Sequence, residues 1–234
     1  MTEQPRRVVV ITAHPDDAEF TVAGTVARWA REGQEVIYVI CTDGSRGSND
    51  PKIEPVAMAV IRRAEQDAAA QVLGVKEVVY LDYEDGILQP TLALRRDLTR
   101  VIRRYRPDVV ICSDPTRRFH GDDYLSHPDH RAGGDAALDA VFPSAGTRYI
   151  FPELLAEGLE PHDVKEVYVH GHSEPNHWVD ITETIEIKIA ALQRHNSQVG
   201  DWDDLPEGIR SWAREAGAAQ GMAYAESFKR IILG

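Results

Sequence analysis

The chain predicts an α/β protein built on a doubly wound, mainly parallel sheet with helices on both faces. Three observations carry this. Short apolar runs alternate with segments of helical spacing along the first two thirds of the chain, as a parallel sheet with crossover helices requires. The strand-like runs are apolar throughout, as in strands buried on both faces. Finally, 234 residues with 43% hydrophobic content can bury a sizeable core and fit one domain better than two. That domain is expected to span residues 1–234, its last third (about 143–234) forming an elaboration over the active-site edge.

Val8-Val9-Val10-Ile11 reads as a first buried strand and Phe20 to Arg31 as a helix that Gly33 ends. Glu35 to Cys41 is a second strand. A loop from Thr42 to Pro51 follows, rich in Gly, Ser and Asn and too long for a tight turn. Helical spacing runs from Ile53 to Leu73, where Gly74 stops it, and Lys76 to Leu81 is a third strand ending in Asp82-Tyr83-Glu84-Asp85-Gly86. Leu92 to Tyr105 is a helix with Pro107 just beyond it, and Asp108 to Ser113 a fourth strand. After a polar loop, Asp114 to Ser126, Pro128 suits the first helical position, with His127 as N-cap and His130 on the first turn. Ala132 to Phe142 continues that helix. Beyond it, Val164–Val169 and His177–Ile181 read as short strands. Thr182–His195 reads as a helix capped by Thr182, and Leu205–Ala219 as another.

Composition excludes several classes. Lys plus Arg number 26 against 38 Asp plus Glu, a net charge of −12, which argues against a nucleic-acid partner. The basic pairs are scattered. No apolar stretch approaches a bilayer span. The polar start, Met1 to Arg7, has no signal-peptide core, so a cytoplasmic location is expected. Cys41 and Cys112 each end an apolar run and read as buried thiols of a reducing compartment. The first strand-to-helix loop lacks the Gly-x-Gly-x-x-Gly pattern of a dinucleotide site.

The chemistry lies in two short stretches. His14-Pro15-Asp16-Asp17 sits where the first strand hands over to the first helix, the sheet edge at which α/β proteins bind ligands. His127-Pro128-Asp129-His130 answers it from far along the chain. His14, Asp17 and His130 supply two imidazoles and a carboxylate, a catalytic zinc set that keeps a position for water. Asp16 is left over as general base. A protonated His127 is left to stabilise an oxyanion, with Asp129 to orient it or raise its pKa. A non-haem iron triad uses the same ligand types, but the spare acid and base favour hydrolysis.

These residues resemble the PIG-L/LmbE-like family of zinc-dependent N-acetyl deacetylases. The resemblance rests on Ala13-His14-Pro15-Asp16-Asp17-Ala18-Glu19, Thr42-Asp43-Gly44, Arg62-Arg63-Ala64-Glu65 and His127-Pro128-Asp129-His130, in that order. Weaker similarity continues through Val179-Asp180-Ile181-Thr182, His195-Asn196-Ser197-Gln198 and Tyr224 to Phe228. It implies a Rossmann-like fold, a Zn2+ cofactor and hydrolysis of the acetamide of an N-acetylglucosamine-type sugar or conjugate. By position it makes His14, Asp17 and His130 the zinc ligands, Asp16 the base and His127 the residue that stabilises the intermediate, and puts Arg62 near the substrate. Some members carry a tyrosine two residues before the second motif; here that position is Leu125, and Tyr124 is the candidate substrate-binding residue. The expected partner is a small amino-sugar substrate, with no nucleic acid and no membrane span; homo-oligomer formation stays open. Alternatives are an amide or ester hydrolase of another natural product, or a non-catalytic sugar- or metal-binding relative, against which the retention of Asp16 argues.

Other polar and aromatic candidates read as structural. His120, His162, His170, His172, His177 and His195 are expected on the surface or in structural hydrogen bonds, with His172 and His177 flanking a turn that could border the site. Arg46 reads as a solvated loop residue, and Trp178, Trp202 and Trp212 as buried apolar groups.

Overall fold

The computed structural model describes residues 5–122 and 124–233; the first four residues of the polar lead-in lie outside the described residues. In chain order the elements are β1 (Arg7–Thr12), α1 (Asp17–Thr21), α2 (Ala23–Arg31), β2 (Glu35–Thr42), α3 (Pro55–Leu73), β3 (Glu77–Tyr83), α4 (Leu92–Tyr105) and β4 (Val109–Ser113). A small hairpin follows, β5 (Phe119–His120) and β6 (Tyr124–Leu125), then α5 (Pro128–Asp139) and a wider turn of helix over Ala140–Ala145. The remainder is α6 (Glu153–Ala156), β7 (Glu166–His170), β8 (His177–Asp180), α7 (Ile185–Leu192), α8 (Asn196–Val199), α9 (Leu205–Ala218) and β9 (Ala225–Ile232).

The central sheet has seven strands in the order β3-β2-β1-β4-β7-β9-β8. The pairs from β3 across to β7 are parallel, and β9 runs antiparallel between β7 and β8. Alternate residues of the inner strands serve two separate cores. Val8, Val10, Val36, Tyr38 and Ile40 pack against α2, α7 and α9 through Val26, Ile185, Ile189 and Ile209. Val9, Ile11, Ile37, Val39 and Cys41 pack against α4 and α5 through Leu94, Leu98, Ile102 and Ala136. This is the doubly wound architecture expected, and it leaves the carboxyl ends of β1, β2, β4 and β7 at one edge. Both cysteines are buried and free. Among the described residues no helix is long and apolar enough to cross a membrane.

The structure corrects several boundaries. The expected helix from Phe20 begins earlier, at Asp17, and breaks at Val22 (φ −129°). The break gives α2 an N-terminus of its own, and the buried Glu226 carboxylate accepts from its Gly24 and Thr25 N–H groups at 3.0 and 2.8 Å. Lys188 Nζ, 2.6 Å away, completes that buried arrangement. Thr182 does not cap α7: its hydroxyl bonds Asp180 Oδ1 at 2.6 Å, and the helix starts at Ile185. Helix α5 stops at Asp139, and Phe142 takes an extended conformation (φ −138°, ψ 126°), as a residue before proline tends to. Strand β9 has no counterpart in the sequence pattern. Its sequence, Ala225-Glu226-Ser227-Phe228-Lys229-Arg230-Ile231-Ile232, has no apolar run, since Glu226 caps a helix and Arg230 bonds Glu166. Residues 143–234 therefore do more than cover the active-site edge: β7, β8 and β9 complete the central sheet.

Helix α5, which carries the second motif, lies against the end of β4 through Gly134. A Cβ there would meet the Ser113 carbonyl oxygen at 2.3 Å, a backbone atom that cannot swing away. Gly134→Ala should therefore destabilise the protein by about 1–3 kcal/mol, the usual cost of overpacking, in chemical denaturation.

Candidate metal centre

After β1 the chain crosses the sheet edge and turns sharply. Asp16 takes the left-handed conformation (φ 93°), held by its N–H donating to Gln66 Oε1 at 2.9 Å. That conformation costs a non-glycine residue about 1–3 kcal/mol and persists only where its surroundings impose it. It folds Asp17 back over the strand end, where Oδ2 accepts from the Ala13 and His14 N–H groups at 3.1 and 2.8 Å. The other oxygen, Oδ1, points outward, 3.0 Å from His130 Nε2. His14 Nδ1 lies 3.2 Å from the same His130 nitrogen and 3.6 Å from Asp17 Oδ2.

The far side of the His14 ring faces two carboxylates. Its Nε2 is 3.0 Å from Asp85 Oδ1 and 3.2 Å from Asp129 Oδ2. Both carboxylates are buried, so the proton belongs on Nε2, and the lone pair of Nδ1 is left for the centre. A tetrahedral zinc with ligands at about 2.0–2.1 Å separates its ligand atoms by roughly 3.3 Å. The His14 Nδ1–His130 Nε2 and His130 Nε2–Asp17 Oδ1 spacings come close to that, and a two-nitrogen, one-oxygen donor set suits zinc with a position left for water.

The buried charges favour a cation at this point. Burial pushes the Asp17 carboxyl upward, but His130 and His14 outweigh it and hold the group well below the usual carboxylate range. Burial likewise lowers His14, and Asp17, Asp129 and Asp85 carry it well above the ordinary imidazole value. The neighbouring Asp16 goes the other way. Burial pushes it up to about 6, although the Arg62 guanidinium, with Nη2 at 3.2 Å from Oδ2, pulls it down. Two adjacent aspartates thus hold their protons very differently, and Asp16 is poised to accept and release one near neutral pH.

His127 is the N-cap of α5, and its Nδ1 accepts from the Asp129 N–H at 3.2 Å. Its ring stands edge-on to His14 at 4.8 Å, with ring nitrogens of His14, His127 and His130 all within 4.8 Å of one another. The expected pairing with Asp129 is not made. Asp129 Oδ1 is 4.0 Å from His127, and this carboxylate is taken by the Gly86 and Leu88 N–H groups at 2.7 and 3.1 Å and by His14. Burial, then His14, lower the pKa of His127 instead of raising it. With Nδ1 accepting, the neutral ring carries its proton on Nε2 as a hydrogen-bond donor.

Arg62 also departs from expectation. It is 4% exposed and faces inward from α3, donating to the Gly44 and Pro15 carbonyl oxygens at 3.1 and 2.6 Å and to Asp16. It braces the loops at Pro15 and Gly44 from behind. Arg46 is not a loose solvated residue: its N–H donates to Asp85 Oδ2 at 2.9 Å, and its guanidinium bonds Glu84 and the Asp85 carbonyl. Tyr124, 58% exposed on β6, lines a cavity of about 390 Å³ beside Asp17 and His130. Ser113, Asp114, Arg117, His120, His170 and Trp212 share that lining. Trp212 is 54% exposed rather than buried. His170 is buried next to Ser113 Oγ (3.2 Å), and burial pushes it down to about 4, so it is neutral. His195 is fully buried, 3.3 Å from Glu19. His177 packs on Tyr168 and does not line the cavity.

Asp85, Gln66, Ser113 and His170 are the site residues that sequence reasoning missed. Asp85, Ser113 and His170 lie at or just past carboxyl ends of strands, so the edge rule that picked out His14 reaches them too. Gln66 has only its place one turn after Arg62 on α3 to mark it.

The family described as PIG-L, GlcNAc-PI de-N-acetylase, matches residues 9–141. The diacetylchitobiose deacetylase of Thermococcus kodakarensis is 33% identical over 97% of this chain and 83% of its own. The 1D-myo-inositol 2-acetamido-2-deoxy-alpha-D-glucopyranoside deacetylase of Rhodococcus erythropolis is 29% identical, over 85% of this chain and 83% of its own. The structure of N,N'-diacetylchitobiose deacetylase from Pyrococcus horikoshii with its inhibitor MPG superposes with a TM-score of 0.90 at 33% identity, covering 98% of this chain and 85% of that one.

If Asp129 orients His14 as the distances indicate, Asp129→Asn should weaken binding of a divalent transition metal by about 10–100-fold, the usual effect of losing such a partner. Competition against a chelator measures it, and unchanged affinity would mean that Asp85 suffices.

Proposed function

The chain belongs to the PIG-L family of GlcNAc-PI de-N-acetylases, and we propose on that premise that it is a zinc-dependent hydrolase removing the acetyl group from an N-acetylglucosamine-type sugar or conjugate. The observation that carries this reading is the convergence of His14 Nδ1, Asp17 Oδ1 and His130 Nε2 with the protonatable Asp16 beside them. His14, Asp17 and His130 would hold the zinc ion, which would supply Lewis acidity toward water and the acetyl carbonyl.

The chain's own groups do the rest. Asp16 takes the proton from the attacking water and returns it to the sugar nitrogen as the C–N bond breaks, leaving acetate and a free amine. Its value of about 6 suits both halves of that exchange. His127 donates from Nε2 to the carbonyl oxygen as negative charge gathers there. Arg62 and Gln66 fix Asp16 in the conformation from which it acts. The net charge of −12 and the two buried thiols accord with a cytoplasmic enzyme acting on a small molecule rather than on nucleic acid.

Acetate release from N-acetylglucosamine and its conjugates, with metal content measured in parallel, tests the assignment. Asp16→Asn keeps the shape but cannot take the proton, so kcat should fall by about two to four orders of magnitude with zinc retained. His127→Ala should cost about a hundredfold or more in kcat, as loss of an oxyanion donor does. If Asp16→Asn turns over at the wild-type rate, the base lies elsewhere.

The pH dependence has a definite sign. Asp16 must be ionised to accept a proton, so kcat/KM should fall with decreasing pH around 6. Arg62 holds that value down, so Arg62→Ala should move the acid limb to higher pH; a limb that moves lower or stays in place would separate Arg62 from the base.

A further inference from the structure

We propose that Glu19 is a positioning residue for the reaction: acting through Gln66, it holds the base Asp16 in the backbone conformation from which it works. This rests on the deacetylase reading above and adds a residue to which that reading gives no part.

Glu19 lies on α1, two residues after Asp17, and is fully buried. A carboxyl group is rarely taken so far from water unless partners hold it there. Its Oε1 accepts from Gln66 Nε2 at 3.1 Å. At the other end of the same amide, Gln66 Oε1 accepts from the Asp16 N–H at 2.9 Å. An amide has one accepting end and one donating end. The acceptor supplied by Glu19 therefore draws the NH2 group to its own side and turns the oxygen to Asp16. In the reverse orientation the NH2 group would face the Asp16 N–H, donor against donor, and the oxygen would face the Glu19 carboxyl. Gln66 is itself fully buried, so neither mismatch could be repaired by bulk water. The Asp16 N–H needs that acceptor, because its residue sits in the left-handed region (φ 93°), which a side chain adopts only where its surroundings impose it.

The stretch His195-Asn196-Ser197-Gln198, which the metal centre does not use, backs this arrangement. His195, also fully buried, brings Nε2 to 3.3 Å from the second Glu19 oxygen, Oε2. Ser197 donates from its N–H and its hydroxyl to Glu65 at 2.7 and 2.6 Å, one residue before Gln66 on α3. Gln198 Nε2 reaches the Gly47 carbonyl at 3.3 Å. One segment of the last third thus holds both helices, α1 and α3, between which the Glu19–Gln66–Asp16 chain of hydrogen bonds runs.

The test compares wild type with Glu19→Leu, Glu19→Gln, Gln66→Leu and the double variant Glu19→Leu/Gln66→Leu. In metal-free Glu19→Leu, hydrogen exchange at the Asp16 N–H should quicken about tenfold, as loss of one hydrogen bond allows. With zinc loaded to the wild-type content, kcat on the acetamido sugar that wild type cleaves fastest should fall about 10–100-fold with KM nearly unchanged, as a misplaced base requires. Glu19→Gln can still accept from Gln66 and should recover most of both losses. Adding Glu19→Leu to Gln66→Leu should lower kcat by no more than about twofold further, since the route is already cut. Unchanged exchange at Asp16 in Glu19→Leu, or fully additive losses in the double variant, overturns the positioning role and leaves the deacetylase reading intact. Wild type supplies a check that no misfolding can spoil: a strong nuclear Overhauser contact between the Gln66 NH2 group and the Asp16 N–H means that the amide is turned round, and also overturns it. Absence of acetate release from every acetamido sugar by the zinc-loaded wild type overturns both readings.

Discussion

The two contacts at His14 Nε2 are the constraint on which the rest of the site depends. A histidine at the end of β1 can turn either nitrogen to a metal. Here Asp85 from the β3 loop and Asp129 from α5 both close on Nε2, at 3.0 and 3.2 Å. They fix the tautomer, aim Nδ1 at His130 and Asp17, and tie three separate stretches of chain to one ring. Asp129 can do this because it is itself pinned: the Gly86 and Leu88 N–H groups hold both its oxygens, so the loop after β3 and the first turn of α5 cannot separate without uncovering a buried carboxylate.

The same economy of charge explains why two adjacent aspartates do different work. Asp17 spends one oxygen on the backbone and the other on His130, and imidazoles on either side hold it ionised. Asp16, one residue earlier, faces burial with only a single guanidinium contact and is pushed up to about 6. The left-handed turn at Asp16 is what sends the two side chains into these different surroundings. Buried carboxylates at Asp17, Asp85 and Asp129 crowd one ring, an arrangement that a divalent cation relieves better than a single imidazolium does.

Much of this was legible in the sequence. The apolar runs of β1, β2 and β4 are buried on both faces, and the ends of α4 fall where propensity and Pro107 put them, at Leu92 and Tyr105. His14, Asp17 and His130 come together because both motifs sit at strand-to-helix junctions of one sheet edge, which topology alone brings close. What was not legible depended on partners distant in sequence. The break at Val22 needs Glu226, 202 residues after the Gly24 N–H it accepts, to cap α2. The inward turn of Arg62 needs the carbonyl groups of Pro15 and Gly44. The acceptor state of His127 follows from its place as N-cap, which the sequence marked, but the diversion of Asp129 to His14 required the loop at Gly86.

The division of labour along the chain then follows from the topology. The family match, residues 9–141, contains every group assigned to metal, base and oxyanion. The last third contributes none of these, yet it supplies β7, β8 and β9 to the sheet and puts His170, Gly171 and Trp212 into the cavity wall. A sheet of this kind can be extended by strands on the β7 side without disturbing β1 or β2, because the metal centre hangs on the opposite half of the edge and on α5. The cavity wall is thus shared between the two parts of the chain. A shared acetamide can be cleaved by one fixed constellation while the residues that meet the remainder of the substrate change. Trp212, on that wall, meets Trp202, which stacks on Phe20 of α1.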